Sequence, residues 1–315
     1  MAVVTVEEAL QLWDEALQTQ VHKVETIDVK AAKGYVLAED IIAPTDVPAF
    51  PKSAMDGYAI TYKADCNEYI VDGIIGAGVV WEHSVETGHA VRIMTGAPVP
   101  DTCDTVIMQE QVVGSGEPGT TITIQGKYTC GDHIIPQGEE CSAGTTVIPR
   151  GTEVTSTVQT ILTGLGFTEI TVNAMPRVLV LTSGHEVIEP GESLTPGKIY
   201  NSNRAMICGL LEDLGFHKIT HYHVSDAPEE LESEINHVLQ LSEDADIIIS
   251  SGGVSVGLFD TMPLIYEKLG AQSIYARIQM RPGAASYGAV TPKGQIIFGL
   301  SGNPGAAFNG WHLIV

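Results

Sequence analysis

From Pro176 onwards the chain alternates apolar strand-like runs with helix-like segments, and no other feature limits its fold as strongly. RVLVLTSG (177–184), HKITHYHV (217–224), DIIIS (246–250) and QIIFGL (295–300) read as strands. RAMICGLLEDLG (204–215) reads as a helix stopped by Gly215. PEELESEINHVLQLS (228–242), with Pro228 as a start signal, and TMPLIYEKLG (261–270) are two more. Strands alternating with helices of this length predict a mostly parallel α/β sheet.

The earlier part has another texture. Thr5-Val6-Glu7-Glu8 is a capping-box pattern, and Val6, Leu10, Trp13 and Leu17 recur at helical spacing. Residues 6–19 therefore read as an amphipathic helix with that stripe as core or subunit contact. Short strands follow over 24–43 around the Lys33-Gly34 turn. Between about 46 and 150, YIVDGII, HAVRIM, DTVIMQE, TITIQG and TTVIPRG alternate with Gly, Pro and Asp turns. That rhythm predicts a small β-barrel or sandwich. Residues 151–174 read as one helix closing at Gly164–Gly166.

The chain has 315 residues and is 44% hydrophobic, which is ample for more than one core. Its formal net charge of −23 repels phosphate backbones and anionic bilayers, which argues against nucleic acid and membrane as partners. A small anion needs local donors or a bound cation to overcome that field. The five cysteines form no C-x-x-C pair and read as reduced structural thiols. The N-terminus has no basic region before an apolar one, and no apolar run reaches membrane-spanning length, so the chain is expected to be cytoplasmic.

Chemistry in an open α/β sheet gathers at the carboxyl ends of its strands. Three such ends are rich in small residues and hydroxyls: Thr182-Ser183-Gly184-His185-Glu186, Ser251-Gly252-Gly253-Val254-Ser255 running on to Asp260, and Ser301-Gly302-Asn303-Pro304. Glycine lets the backbone approach a ligand, and a following helix N-terminus favours a phosphate or similar oxyanion. A tight strand-to-helix turn with no ligand is the plainer reading of any one of them. Arg277 and Arg281 are four apart in ARIQMRPGA. In an extended segment they would face the same way, towards one pocket or towards solvent. Asp56, Glu186, Asp226 and Asp260 sit at loop ends, where carboxylates suit a hard cation such as Mg²⁺, general acid or base work, or plain surface charge. No G-x-G-x-x-G lies between a strand and a helix, which argues against a dinucleotide enzyme.

PAFPKSAMDGYAI (48–60), RIMTGAPVPDTCDTVIMQE (92–110), LTSGHEV (181–187), SSGGVSVG (250–257) and LSGNPGAA (300–307) occur in the order seen in a known family. Together they resemble the MoeA/gephyrin E-domain family, the molybdopterin molybdenumtransferases, from about residue 5 to 315. The resemblance implies insertion of molybdate into adenylylated molybdopterin with release of AMP and with Mg²⁺ present. It also implies a homodimer whose site lies between the α/β domain of one subunit and the β-barrel-like domain of the other. Other molybdenum cofactor biosynthesis proteins are then possible partners. The fold class expected is α/β plus β, multi-domain. It comprises a linker or dimerisation domain over 1–47 and 140–175, a β-rich domain over 48–139 and a three-layer molybdopterin-binding domain over 176–315.

Carried over by residue, the catalytic positions are Asp56, Thr95, Glu140, Glu186, Asp226 and Asp260, the last three also binding metal. Ser251, Gly252, Gly253, Ser255, Arg277, Arg281, Ser301, Gly302 and Asn303 would bind the pterin substrate. The sequence departs from the family at several positions. Arginines at 277 and 281 replace lysines, His185 replaces an aspartate, Ile135 an arginine, Glu140 an aspartate, Ala284 a lysine and Ser301 a proline. Family members also continue into one further small domain beyond the position of Val315. These departures leave a second reading open, a carrier or pseudo-enzyme that binds molybdopterin without turnover.

Overall fold

The computed structural model describes residues 3–18, 20, 23–254 and 261–315. Two compact units emerge, one of residues 1–25 with 173–315 and one of residues 26–172. The fold class is α/β plus β, as expected.

Helix α1 (Val6–Leu17) begins at the capping box. The Thr5 hydroxyl accepts from the Glu8 N–H at 3.1 Å, and the Glu8 carboxylate accepts from the Thr5 N–H at 2.8 Å. The expected apolar stripe is rotated. Ala9 and Trp13 are buried, whereas Leu10 and Leu17 are exposed. Trp13 sets this orientation, because its ring packs 4.6 Å from that of Phe298 and its Nε1–H donates to the Tyr275 hydroxyl at 3.2 Å.

In the unit of residues 26–172, six strands form one mixed sheet. They are β1 (Gly57–Ile60), β2 (Glu68–Ile75), β3 (His89–Ile93), β4 (Thr105–Met108), β5 (Val112–Val113) and β6 (Thr121–Ile124), in the order β4-β1-β3-β2-β6-β5. β2 alternates strictly between exposed and buried residues, with Tyr69, Val71, Gly73 and Ile75 inward, as a strand packed on one face must. A separate core joins Leu37, Ile41, Ile148, Val154, Leu162 and Val172. It includes helix α2 (Ser156–Gly164), capped by the Thr155 hydroxyl. The single helix expected over 151–174 is therefore shorter. Gly166, at φ 87°, ends it, and Glu169–Asn173 is a strand with Ile170 and Val172 buried in alternation.

The other unit holds a six-stranded sheet. Its strands are β7 (Val178–Ser183), β8 (Ile219–Val224), β9 (Ile247–Ser251), β10 (Gln272–Tyr275), β11 (Tyr287–Val290) and β12 (Ile296–Leu300), in the order β8-β7-β9-β12-β11-β10. The first four run parallel, and β11 and β10 continue antiparallel. Helices α3 (Ser202–Asp213) and α6 (Pro304–Ile314) pack Ile207, Leu211, Ala307 and Trp311 against Val178 and Val180. On the opposite face α4 (Leu231–Ser242) and α5 (Met262–Lys268) pack Val238, Met262, Ile265 and Tyr266 against Leu179 and Leu181. All six residues of β7 are thus buried, which is why parallel strands read as unbroken apolar runs. Each fully buried aliphatic side chain there contributes about 1.5–3 kcal/mol. In register, the C-terminal ends of β7, β9 and β12 lie side by side.

Candidate functional site

Those three strand ends open into one cavity of about 650 Å³, a volume suited to a small organic ligand. Its lining includes Ser183, Gly184, Ser251, Gly252, Gly253, Ser301 and Gly302, so all three small-residue turns meet in one place. The turns are also in contact with one another. Gly252 has φ 88°, and a Cβ there would lie 2.7 Å from the Ser183 carbonyl oxygen. Gly253 has φ 60°, and its Cβ would lie 2.6 Å from the Ser183 hydroxyl. Only glycine supplies both that backbone and that approach.

Asn203, in the first turn of α3, joins two of the turns. Its Nδ2 donates to the Ser251 hydroxyl and to the Gly302 carbonyl, both at 2.8 Å. Ser251 in turn donates to the Ser301 carbonyl at 3.0 Å. The Asn203 Oδ1 is buried and has no hydrogen-bond partner. Nothing in the sequence marked Asn203, though the N-cap signal of Asn201 in Asn201-Ser202-Asn203 places the tripeptide at a helix start. Asn201 indeed caps α3, its Oδ1 accepting from the Arg204 N–H at 3.1 Å. Residues 201–203 all line the cavity, so the positive end of the α3 dipole borders it.

Behind the wall lies a polar network. The Asn201 Nδ2 donates to the Thr182 hydroxyl and to Glu189, both at 3.0 Å, and Arg204 Nη1 donates to Glu189 at 2.7 Å. Burial alone would raise the Glu189 pKa, but these donors hold it below its ordinary value. His221 Nε2 lies 3.0 Å and His223 Nδ1 3.1 Å from the same Thr182 hydroxyl. Burial first, and the Arg204 charge second, push the His221 pKa from 6.5 down to about 4. The unfolded chain therefore takes up this proton more readily than the folded one. Stability tied to His221 is complete above about pH 6.5 and is lost as pH falls towards 4. His221→Gln should flatten the fall in melting temperature over that window; an unchanged slope would refute the assignment.

Of the residues expected from sequence, Glu186, Asp226, Ser251, Gly252, Gly253, Ser301 and Gly302 share the cavity. Glu186 and Asp226 stand beside His185, whose Nδ1 is 3.8 Å from Glu186 Oε2 and 3.7 Å from Asp226 Oδ2. Ser255 and Asp260 lie outside the described residues. Asn303 caps α6, accepting from the Ala306 N–H at 3.1 Å. Arg277 and Arg281 are exposed and absent from the cavity wall. The backbone is extended only over Arg277–Ile278 and turns at 281–283, so the same-face spacing expected of an extended segment does not hold.

Asp56, Thr95 and Glu140 belong to the unit of residues 26–172. The Asp56 carboxylate accepts from the Thr95 N–H at 2.7 Å and the Thr95 hydroxyl at 2.8 Å. Those two bonds, the backbone one foremost, hold its pKa below the usual carboxylate value. Glu140 is exposed and 3.8 Å from the Lys52 ammonium. All five cysteines are free thiols.

Comparison with known proteins agrees with this arrangement. Residues 4–166 match the MoeA N-terminal region (domain I and II), and residues 179–315 match a probable molybdopterin binding domain. The molybdopterin molybdenumtransferase of Staphylococcus epidermidis is 38% identical over 300 residues, covering 92% of this chain and 69% of that protein. That of Staphylococcus aureus is 37% identical over 298 residues, covering 92% and 69%. The crystal structure of a molybdopterin biosynthesis MoeA protein from Pyrococcus horikoshii superposes with a TM-score of 0.79 at 26% identity, over 99% of this chain and 77% of that one. With both of its regions matched in order and its glycine turns converging as the motifs require, the chain belongs to the MoeA family of molybdopterin molybdenumtransferases.

Proposed function

We propose that this protein inserts molybdate into adenylylated molybdopterin and releases AMP, a step of molybdenum cofactor biosynthesis. The observation that carries the reading is the convergence of the three glycine turns on one cavity that also holds Glu186 and Asp226. In it, the backbone around Ser251, Gly252, Gly253, Ser301 and Gly302 takes the pterin phosphate, aided by the α3 N-terminus. Such donors are fixed before the ligand arrives, so they need no reorganisation. Glu186 and Asp226 then face the incoming oxyanion and the adenylyl linkage.

Arg277, Arg281 and Asn303, which are not part of the cavity wall, keep their proposed pterin roles on the family motif alone, as do Asp56, Thr95 and Glu140 their proposed catalytic ones. Ser255 and Asp260 keep their proposed roles on the family motif alone. A homodimer in the cytoplasm is part of the same proposal; no helix among the described residues is long and apolar enough to cross a membrane.

The resemblance also implies Mg²⁺. The donors gathered here are two carboxylates and the His185 imidazole. Mg²⁺ takes oxygen ligands in near-octahedral array, so the nitrogen fits it poorly. No part of the proposed reaction is routed through that ion.

The test is incubation of the purified chain with adenylylated molybdopterin, molybdate and a divalent cation. AMP release is expected. Pterin binding without AMP release would select the carrier reading instead.

A further inference from the structure

We propose that Tyr200 is a stacking platform for a flat heteroaromatic ring of the substrate, the adenine or the pterin of adenylylated molybdopterin. The inference deepens the function proposed above and rests on its substrate.

Tyr200 stands out by its surroundings. All ten tyrosines lie among the described residues, and Tyr200 is the exposed one, at 43%. Tyr58, Tyr69, Tyr266 and Tyr275, by contrast, are core residues at 5% or less. The aromatic pairs among the described residues leave the Tyr200 ring out. Yet Tyr200 lines the cavity that the glycine turns build. Its neighbour Ile199, 53% exposed, lines the same wall. A single apolar side chain on an open surface needs no explanation, whereas two adjacent ones in a cavity wall mark ligand contact.

The ring is also held in place. The Tyr200 hydroxyl donates to the Glu192 carbonyl at 3.1 Å, across the loop 189–198. Its backbone belongs to a short parallel pair in which Tyr200 stands opposite Ile188. The next N–H along, that of Asn201, donates to the Ile188 carbonyl at 2.9 Å. A tyrosine has only two side-chain torsions, so one already tied at its hydroxyl loses little freedom when a ligand lands on it. That bond uses the hydroxyl and not the faces of the ring.

Position decides what the ring would meet. Tyr200 immediately precedes Asn201, the N-cap of α3, whose positive end borders the proposed phosphate region. A ligand with its phosphate on the glycine turns brings a ring joined to that phosphate towards Tyr200. Stacking on an aromatic side chain tolerates any flat heterocycle, because each has a π face. The contact is uncharged, so the net charge of −23 that opposes the phosphates does not weaken it.

The test is calorimetric titration of the full chain with three probes: AMP, molybdopterin without its adenylyl group, and inorganic phosphate. Tyr200→Ala and Tyr200→Leu should lose about tenfold or more in affinity for AMP if adenine stacks, or for molybdopterin if the pterin does. Tyr200→Phe keeps the ring and should stay within about threefold. Affinity for inorganic phosphate should stay within about twofold in all three variants, which a general disturbance of the turns would not allow. In the parent complex the protons of the stacked heterocycle should show an upfield ring-current shift in NMR, and Tyr200→Leu should abolish it. Parent-level affinity of the Ala and Leu variants for both AMP and molybdopterin would overturn the proposal. A Phe variant as weak as the Ala variant, or phosphate affinity falling in step with the ring-bearing probes, would do the same. Ring-dependent binding with no AMP release from adenylylated molybdopterin would sink the reaction and keep the platform. AMP release by Tyr200→Ala at the parent kcat/KM would keep the reaction and remove the platform.

Discussion

Gly252→Val should reduce affinity for adenylylated molybdopterin by about 100-fold or more, equivalent to about 2.7 kcal/mol, and should lower the melting temperature as well. The residue has φ 88°, a conformation a β-branched side chain avoids at a cost of about 1–3 kcal/mol. Its Cβ would also stand 2.7 Å from the Ser183 carbonyl, closer than real carbon atoms come. Both that oxygen and the Gly252 backbone belong to the turns that form the cavity. The added side chain therefore forces the β7 and β9 turns apart. Gly252→Ala isolates the Cβ alone and should show most of the effect. Circular dichroism separates displaced turns from a collapsed sheet. Parent-level affinity in either variant, in a folded protein, would mean that the close approach of these turns has no part in binding.

Asn203→Ala is the second large effect. The amide nitrogen faces the Gly302 carbonyl, which can only accept, so the orientation of the side chain follows from chemistry. Truncation removes donors from two acceptors at once, the Ser251 hydroxyl and the Gly302 carbonyl. Leaving a buried acceptor unpaired costs about 1–3 kcal/mol; Ser251 is buried, whereas the Gly302 carbonyl belongs to an exposed residue and can turn to water, so the loss should be about 1–3 kcal/mol. The β9 and β12 turns lose their shared anchor, and pterin affinity should fall about 10- to 100-fold. Asn203→Asp keeps the shape but replaces the donor by a carboxylate aimed at a carbonyl, and should be at least as damaging. Thermal unfolding and pterin titration read the two losses separately. A variant with parent-level stability and affinity would show that the turns hold their places without this residue.

The parallel strands were legible because both of their faces are covered, so β7, β9 and β12 stand out as apolar runs. The antiparallel extension was not. Gln272–Tyr275 has two exposed residues, and Tyr287–Val290 contains Gly288, so neither shows alternation or a continuous apolar run. The core-facing side of α1 was misread because leucine outranks alanine in any apolar count. The helix nonetheless buries Ala9 and leaves Leu10 in solvent, since a small side chain permits the close seating that Trp13 needs. At the site, the glycine turns announced themselves through composition. Asn203 did not, because its partners lie 48 and 99 residues further along the chain. A polar residue in a helix first turn looks the same whether it faces solvent or binds two strand ends together. His185 was visible only as a residue unlike its neighbours in the family motif. Its proximity to Glu186 and Asp226 needed the fold, because Asp226 arrives from the end of a different strand, β8.

The most direct measurement is a crystal structure of the chain with adenylylated molybdopterin bound. The expected result is a phosphate group between the β7, β9 and β12 turns. Backbone N–H groups of Gly252, Gly253 or Gly302 should lie about 2.7–3.2 Å from its oxygens. Saturating ligand bound elsewhere, with these turns bare, would contradict the account.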